Sequence, residues 1–328
     1  MLILTFTGTV NVLSYTLTVY FLSMNYLKYT ISFFFFYNVI LFGQNLYIID
    51  SITSEIISYA NVKHINKNRG VFSDENGIFN KEYFNTQDTI KVSHLNYVSK
   101  TLSIRSINNN TIFLKPKSER LNEIIISKKV GKNKTIGYLK NNKNLSWFIQ
   151  PNNELATLIK YEKDYKTAYI NKIFIPIGKK TIIRDNGKLK KSYPKFNSVF
   201  KVHIYSNKGN LPSKEVIDKP IIIKCNQNSN DIIEINISEQ NIELPKEGLF
   251  FAVEMIGEVN IKGKIIENKT LLPSFKFTKK SKKDIQSISY TKFAFSNNEW
   301  ISIKNDKKYK HISKYNMAVG LSLEIYKN

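Results

Sequence analysis

Arginine and cysteine are nearly absent from this chain of 328 residues. The one cysteine, Cys225, cannot close an internal disulfide or build a thiolate zinc site. Its place in the apolar run Ile221-Ile222-Ile223-Lys224-Cys225 makes it a small buried hydrophobe. Four of the 49 basic residues are arginine (Arg69, Arg105, Arg120 and Arg184), which leaves 45 lysines. A protein that reads bases or clamps phosphates uses the guanidinium fork for bidentate contacts, so the composition speaks against nucleic acid as a partner despite a net charge of +23. The lysines are spread along the chain with one dense run, Lys279-Lys280-Ser281-Lys282-Lys283, and read as a solvated surface. An electrostatic footprint for an anionic polysaccharide or lipid is the alternative.

Reactive motifs are missing as well. The histidines stand in His64-Ile-Asn-Lys, His94-Leu-Asn-Tyr, His203-Ile-Tyr-Ser and His311-Ile-Ser-Lys, none with a glutamate three residues on, and there is no His-Glu-x-x-His. A zinc peptidase is therefore not expected. There is no Gly-x-Ser-x-Gly elbow, Walker A loop or dinucleotide glycine pattern. His203 falls in the middle of an expected strand, where a satisfied histidine is the simpler reading than a catalytic one. Asp231 with Glu234, and Glu254 with Glu258, are carboxylate pairs by proximity alone, and glycosidase chemistry needs two carboxylates facing each other across a cleft. No catalytic residue, cofactor or metal site is assigned.

Hydrophobic residues make up 42% of the chain and aromatics 13%, enough for a packed core, and the abundance of Ile, Phe and Tyr favours strands. Met24-Asn25-Tyr26-Leu27-Lys28, an apolar stretch from Ile31 to Phe42, and Gly43-Gln44 have the layout of a secretory signal with cleavage near Gly43 or Gln44. Its apolar core is short for a transmembrane span. Residues 1–23 read either as an extension of the frame upstream of a true start at Met24, or as the first arm of a membrane-retained hairpin. The signal region is set at 1–43.

From residue 44 the pattern changes to short alternating segments divided by turns. Strands are expected at 46–49, 60–65, 89–93, 99–104, 111–114 and 123–126, with Asn66-Lys67-Asn68-Arg69-Gly70 and Asp74-Glu75-Asn76-Gly77 between them. Gly77 is expected to turn a hairpin, with Phe79 packing after it. The matching residues for a known family are Ile49-Asp50 with Thr53; Tyr59-Ala60-Asn61-Val62; Gly70 with Ser73-Asp74-Glu75-Asn76-Gly77-Ile78-Phe79; Ile90-Lys91-Val92-Ser93-His94-Leu95-Asn96-Tyr97; Leu114-Lys115-Pro116; and Leu121-Asn122-Glu123-Ile124-Ile125-Ile126. In their order and spacing, residues 44–127 resemble the carboxypeptidase-regulatory-like domain, common at the N-terminus of exported Bacteroidetes proteins. Two positions depart from its pattern: Ile57, where proline is frequent, and Asn96, where glycine is. The resemblance implies a prealbumin-like seven-stranded sandwich that is an accessory fold with no catalytic residues. Asp74 and Glu75 lack the alternating oxygen ligands of a calcium loop.

Residues 128–134 are a charged, polar stretch read as a linker. In 135–328, strands are expected at 167–176, 196–205, 220–224, 232–237, 248–256, 271–277, 292–295, 300–303 and 317–325. Residues 153–160 could instead form a short helix. Along 199–205, Val199, Lys201, His203 and Tyr205 share one face and Phe200, Val202 and Ile204 the other. The expected fold is all-β: the seven-stranded sandwich followed by a jelly-roll-like sandwich, as in uncharacterised Bacteroidetes proteins. Of the two tryptophans, Trp147 belongs with the core, while Trp300 lies beside a loop and is the candidate ligand contact, a buried anchor being its simpler reading. The resulting expectation is a non-catalytic exported protein of the periplasm, outer membrane or cell surface, binding an envelope protein or polysaccharide, with membrane association open. A structural component of the outer membrane, or a glycan-active enzyme in the second domain, is the alternative.

Overall fold

The computed structural model describes residues 45–117, 131–138, 145–266, 270–279, 284–296 and 299–327. The expected signal region, the strand expected at 123–126 and residues 128–130 lie outside them. The described residues contain no α-helix, and the protein is all-β.

The first body has seven strands: β1 (Asn45–Asp50), β2 (Asn61–His64), β3 (Gly70–Phe72), β4 (Ile78–Asn80), β5 (Thr89–Ser93), β6 (Lys100–Ser103) and β7 (Thr111–Leu114). They form a three-stranded sheet, β4-β1-β7, and a four-stranded one, β3-β2-β5-β6. Alternation directs Leu46, Ile48, Val62, Ile90, Val92, Ile112 and Leu114 into one core between the sheets. The Asp50 carboxylate accepts from the Ile52 and Thr53 amides at 2.7 and 3.1 Å, and Tyr97 donates its hydroxyl to the other oxygen at 2.9 Å. Asp74 closes its own turn by accepting from the amides of Asn76 and Ile78. Gly77 sits there at φ +69°, where a Cβ would lie 2.9 Å from the Ile48 carbonyl oxygen. This turn does not make the expected hairpin: β3 pairs with β2 and β4 with β1, so it carries the chain from one sheet to the other.

The second body begins with β8 (Lys132–Gly137), β9 (Ser146–Trp147), β10 (Asn153–Tyr161), β11 (Thr167–Gly178), β12 (Thr181–Asp185) and β13 (Lys188–Ser192). It continues with β14 (Asn197–Lys208), β15 (Leu211–Glu215), β16 (Ile221–Asn226), β17 (Ile232–Asn236), β18 (Leu249–Val259) and β19 (Ile265–Ile266). The last strands are β20 (Ser274–Thr278), β21 (Ile285–Gln286), β22 (Ser289–Phe293), β23 (Ile301–Ser302), β24 (Asn316–Met317) and β25 (Gly320–Tyr326). One sheet of nine strands is built on β15-β14-β18-β10-β22-β23, and one of seven on β24-β20-β11-β25-β8. Between them lies the large core, with Phe200, Phe251, Phe275, Phe277, Ile170, Ile173 and Leu321 fully buried.

Two expectations fail here. Residues 132–134 do not belong to a linker, because they open β8, which pairs with β25 over Lys132–Gly137. Residues 153–160 are not helical: β10 lies between β18 and β22 in the middle of the larger sheet. Its Leu155 and Ile159 enter the large core while Ala156 and Leu158 pack on the opposite face, so both faces are apolar and the period of two is masked.

The two bodies meet along an apolar seam. Tyr59 and Phe72 of the first pack with Val199, Ile256, Val259 and Phe295 of the second. Phe295 is fully buried, with its ring centroid 5.0 Å from that of Phe72. Lys63 donates to the Ser296 carbonyl at 2.9 Å, and Lys224 pairs with Glu75 at the rim. Phe295→Ala is expected to cost about 3 kcal/mol or more, by emptying the seam. Exposed Phe113→Ala should cost no more than about 0.5 kcal/mol. Thermal unfolding of both variants checks this, and equal transitions would show that the seam does not bear on stability.

Candidate functional site

The outward face of the nine-stranded sheet carries an unusual row. Register places Lys201 of β14 opposite Glu254 of β18, Glu254 opposite Glu154 of β10, and Glu154 opposite Lys292 of β22. Four neighbouring strands thus set Lys, Glu, Glu and Lys side by side. Glu154 is 1% exposed and Glu254 3%. Buried carboxylates require partners, and both have them. Glu154 accepts from the Tyr205 hydroxyl at 2.7 Å and pairs with Lys292 at 3.0 Å. Glu254 lies 3.4 Å from the Lys201 ammonium and 3.2 Å from His203 Nε2. His203 Nδ1 reaches Glu215 of β15 at 2.8 Å. Three cations therefore balance three anions.

Beyond the charged row the register continues as His203, Ala252, Ala156 and Tyr290. The two alanines leave room for Tyr205, which packs on them and on Phe250 while its hydroxyl reaches Glu154. His203 stacks on Tyr205 with centroids 5.6 Å apart, and Trp300 meets Tyr205 edge-on at 5.9 Å. The Lys292 ammonium lies 4.3 Å from the Trp300 ring centroid. Trp300 is thus half-buried over the charged row rather than freely exposed, and Trp147 is half-buried against Phe277, Tyr309 and His311.

Burial opposes a charged His203, but the hydrogen bonds to Glu215 and Glu254 outweigh it and push its pKa up to about 10. Burial likewise opposes an ionised Glu254, and Lys201 and His203 outweigh it and hold that carboxyl below its usual range. Burial and the negative charge of Glu154 push the Tyr205 hydroxyl well above its ordinary value. A general acid needs a carboxyl with a raised pKa, whereas Glu254 is held ionised. Burial raises the Cys225 thiol, which disfavours the thiolate a nucleophile needs.

At one end of the row, the seam leaves a cavity of about 160 Å3. Asn61, Ser93, His94 and Leu95 of the first body face Lys201, His203, Glu215 and Ile217 of the second across it. The Lys201 ammonium donates to Asn61 Oδ1 at 2.5 Å and lies 4.6 Å from the Phe72 ring centroid, tying the row to the first body. His94 Nδ1 is buried without a hydrogen-bond partner among the described residues. Burial, then the charges of Lys201 and Lys117, push His94 down to about 4, so the ring is neutral near pH 7. Among the described residues, no three or more His, Cys, Asp or Glu side chains are arranged to hold a metal ion.

The carboxylate pairs suggested by sequence proximity are not the ones the fold makes. Asp231 and Glu234 pair with Lys179 and Lys172 at the surface, and the carboxylate beside Glu254 is Glu154. Lys201 and His203 were readable on one strand face. Glu154 was hidden in the segment that could be read as a helix.

His203 is raised above its unfolded pKa of 6.5, so the stability it contributes is fully present below pH 6.5 and is lost as pH rises through about 10. The wild type should lose on the order of a few kcal/mol over that window, and His203→Gln should flatten the loss. Urea unfolding at a series of pH values reads this; identical slopes would mean that the ring is not held as a cation.

No protein-family model and no curated protein matches the chain. Solved structures with similarity include the cysteine protease and lectin-like domains of Cwp84, a surface layer associated protein of Clostridium difficile, at 11% identity and a TM-score of 0.32 over 53% of this chain and 32% of that one. The clostridial cysteine protease Cwp84 after propeptide cleavage gives 11% identity and a TM-score of 0.35 over 58% and 40%. The chain spans about a third of the length of the first and two fifths of the second, and at these TM-scores the likeness shows neither a shared fold nor a shared activity.

Proposed function

We propose that this is a non-catalytic exported protein of a bacterial cell envelope that binds a surface glycan in the cavity between its two bodies. The observation that carries the reading is the cavity itself, whose wall brings Asn61, Ser93 and His94 of the first body against Lys201, His203 and Glu215 of the second. A volume of about 160 Å3 suits a single sugar ring rather than a drug-sized ligand, whose sites run from roughly 300 Å3 upward. A protein partner would need a far broader surface, about 800 Å2 on each side. The non-catalytic part of the reading is supported by the cation-locked state of Glu254 and the low nucleophilicity of Cys225. Export is supported by the signal-like layout of residues 24–44 and by the resemblance of 44–127 to an accessory domain of exported proteins.

A panel of bacterial envelope polysaccharides, probed with the full chain and with His94→Ala, tests the binding. The wild type should retain at least one glycan, and the variant, which removes part of the cavity wall, should bind about tenfold more weakly while keeping its circular dichroism spectrum. Equal retention by both proteins, or none by either, would remove the cavity from the reading. Cell fractionation with N-terminal sequencing tests export: the mature protein should start near Gly43 or Gln44 and be recovered with the envelope. Cytosolic recovery with Met1 intact would overturn that part.

A further inference from the structure

β12 and β13 form a hairpin that pairs with no other strand among the described residues. Its turn is Asn186-Gly187, with φ of 48° and 77°, the positive values a tight two-residue hairpin connection requires. A two-stranded ribbon alone is marginally stable in water, yet this one exposes a concentration of large apolar side chains. Of the fourteen exposed large hydrophobic residues among the described ones, three (Ile182, Ile183 and Leu189) fall here and a fourth, Tyr193, follows directly.

The register sorts the ribbon into two faces. Ile182 stands opposite Lys191, and Arg184 opposite Leu189, so these four share one face. Ile182 is 66% exposed and Leu189 71%, and no acidic residue of the hairpin lies among them. The hairpin's acid, Asp185, is on the other face and pairs with Lys190 at 2.6 Å. One face is therefore a diagonal of two aliphatic side chains crossed by a diagonal of two cations.

We propose that this hairpin docks the protein on a membrane carrying anionic phospholipids. Aliphatic side chains gain from an acyl boundary, while Arg and Lys extend their heads to the phosphates. The net charge of +23 draws the whole chain toward such a surface. A polysaccharide offers no apolar phase for Ile182 and Leu189. A folded protein partner would cover one face of the ribbon and leave Ile183, on the opposite face and 47% exposed, in water. A headgroup layer surrounds the ribbon and accommodates both faces.

Because the whole molecule is cationic, the decisive variant keeps its charge. Full-length wild type and Ile182→Ser/Leu189→Ser are compared by co-sedimentation with phosphatidylcholine vesicles with and without phosphatidylglycerol. The wild type should bind the anionic vesicles, and the serine variant about tenfold more weakly, with an unchanged circular dichroism spectrum. In a separate Leu189→Trp variant, tryptophan emission should shift to the blue on mixing with anionic vesicles. His94→Ala should bind vesicles as the wild type does, which separates this proposal from the cavity. Equal sedimentation of wild type and serine variant, or Leu189→Trp emission that anionic vesicles leave unchanged, would overturn it. So would wild-type binding to soluble polyglutamate but not to vesicles, which would assign the basic surface to an acidic polymer instead.

Discussion

Lys201, Glu254, Glu154 and Lys292, set across four adjacent strands, hold the register of the larger sheet. Apolar side chains can trade places at a cost of a kcal/mol or so, but a buried carboxylate that loses its cation costs about 3–5 kcal/mol. The row therefore holds one register. A slip of one residue in β14 would turn Lys201 and His203 into the large core and bring Phe200 and Val202 out beside Glu254. Charge balance within the cluster also removes the repulsion that two adjacent glutamates would otherwise impose.

The same row joins the two bodies. Lys201 pairs with Glu254 on one side, donates to Asn61 on the other, and lies against the Phe72 ring. The apolar seam of Tyr59, Phe72, Val199 and Phe295 supplies a shared apolar cluster, and Lys201 gives it a direction. The cavity follows from that geometry. Beside the Asn61–Lys201 contact, Ser93 at the end of β5 and His94 after it face His203 and Glu215 across a space that Leu95, Ile217 and Ile221 also line. A binding site at this junction inherits its shape from both bodies, and a change in their docking would alter it.

Much of the strand pattern was legible. Residues 89–93 and 111–114 match their strands end for end, and the two faces of 199–205 separate as their alternation indicated. The failures have physical causes. In β10, Leu155, Ala156, Leu158 and Ile159 satisfy helical spacing as well as a strand buried on both faces, and only its neighbours β18 and β22 decide between them. In β8, Lys132-Asn133-Lys134 has the composition of a linker, and pairing with β25 rather than burial makes it a strand. For Trp300 the sequence shows its place just before β23, but not its seat on Tyr205 of the distant β14 or over Lys292 of the neighbouring β22.

Local chemistry thus determined the all-β character, the inert cysteine, the turn at Asp74 and much of the alternation that fills the cores. These depend on side chains within a few residues of one another, where period and turn propensity act directly. The tertiary structure alone decided which carboxylate stands beside Glu254, that His203 bridges two glutamates, that His94 faces Lys201, and that β12 and β13 stand apart from the sheets. The pairings with Glu154, Glu254 and His94 join strands far apart in the chain, and the electrostatics of a buried charge depend on distance in space, which residue spacing along one strand does not contain.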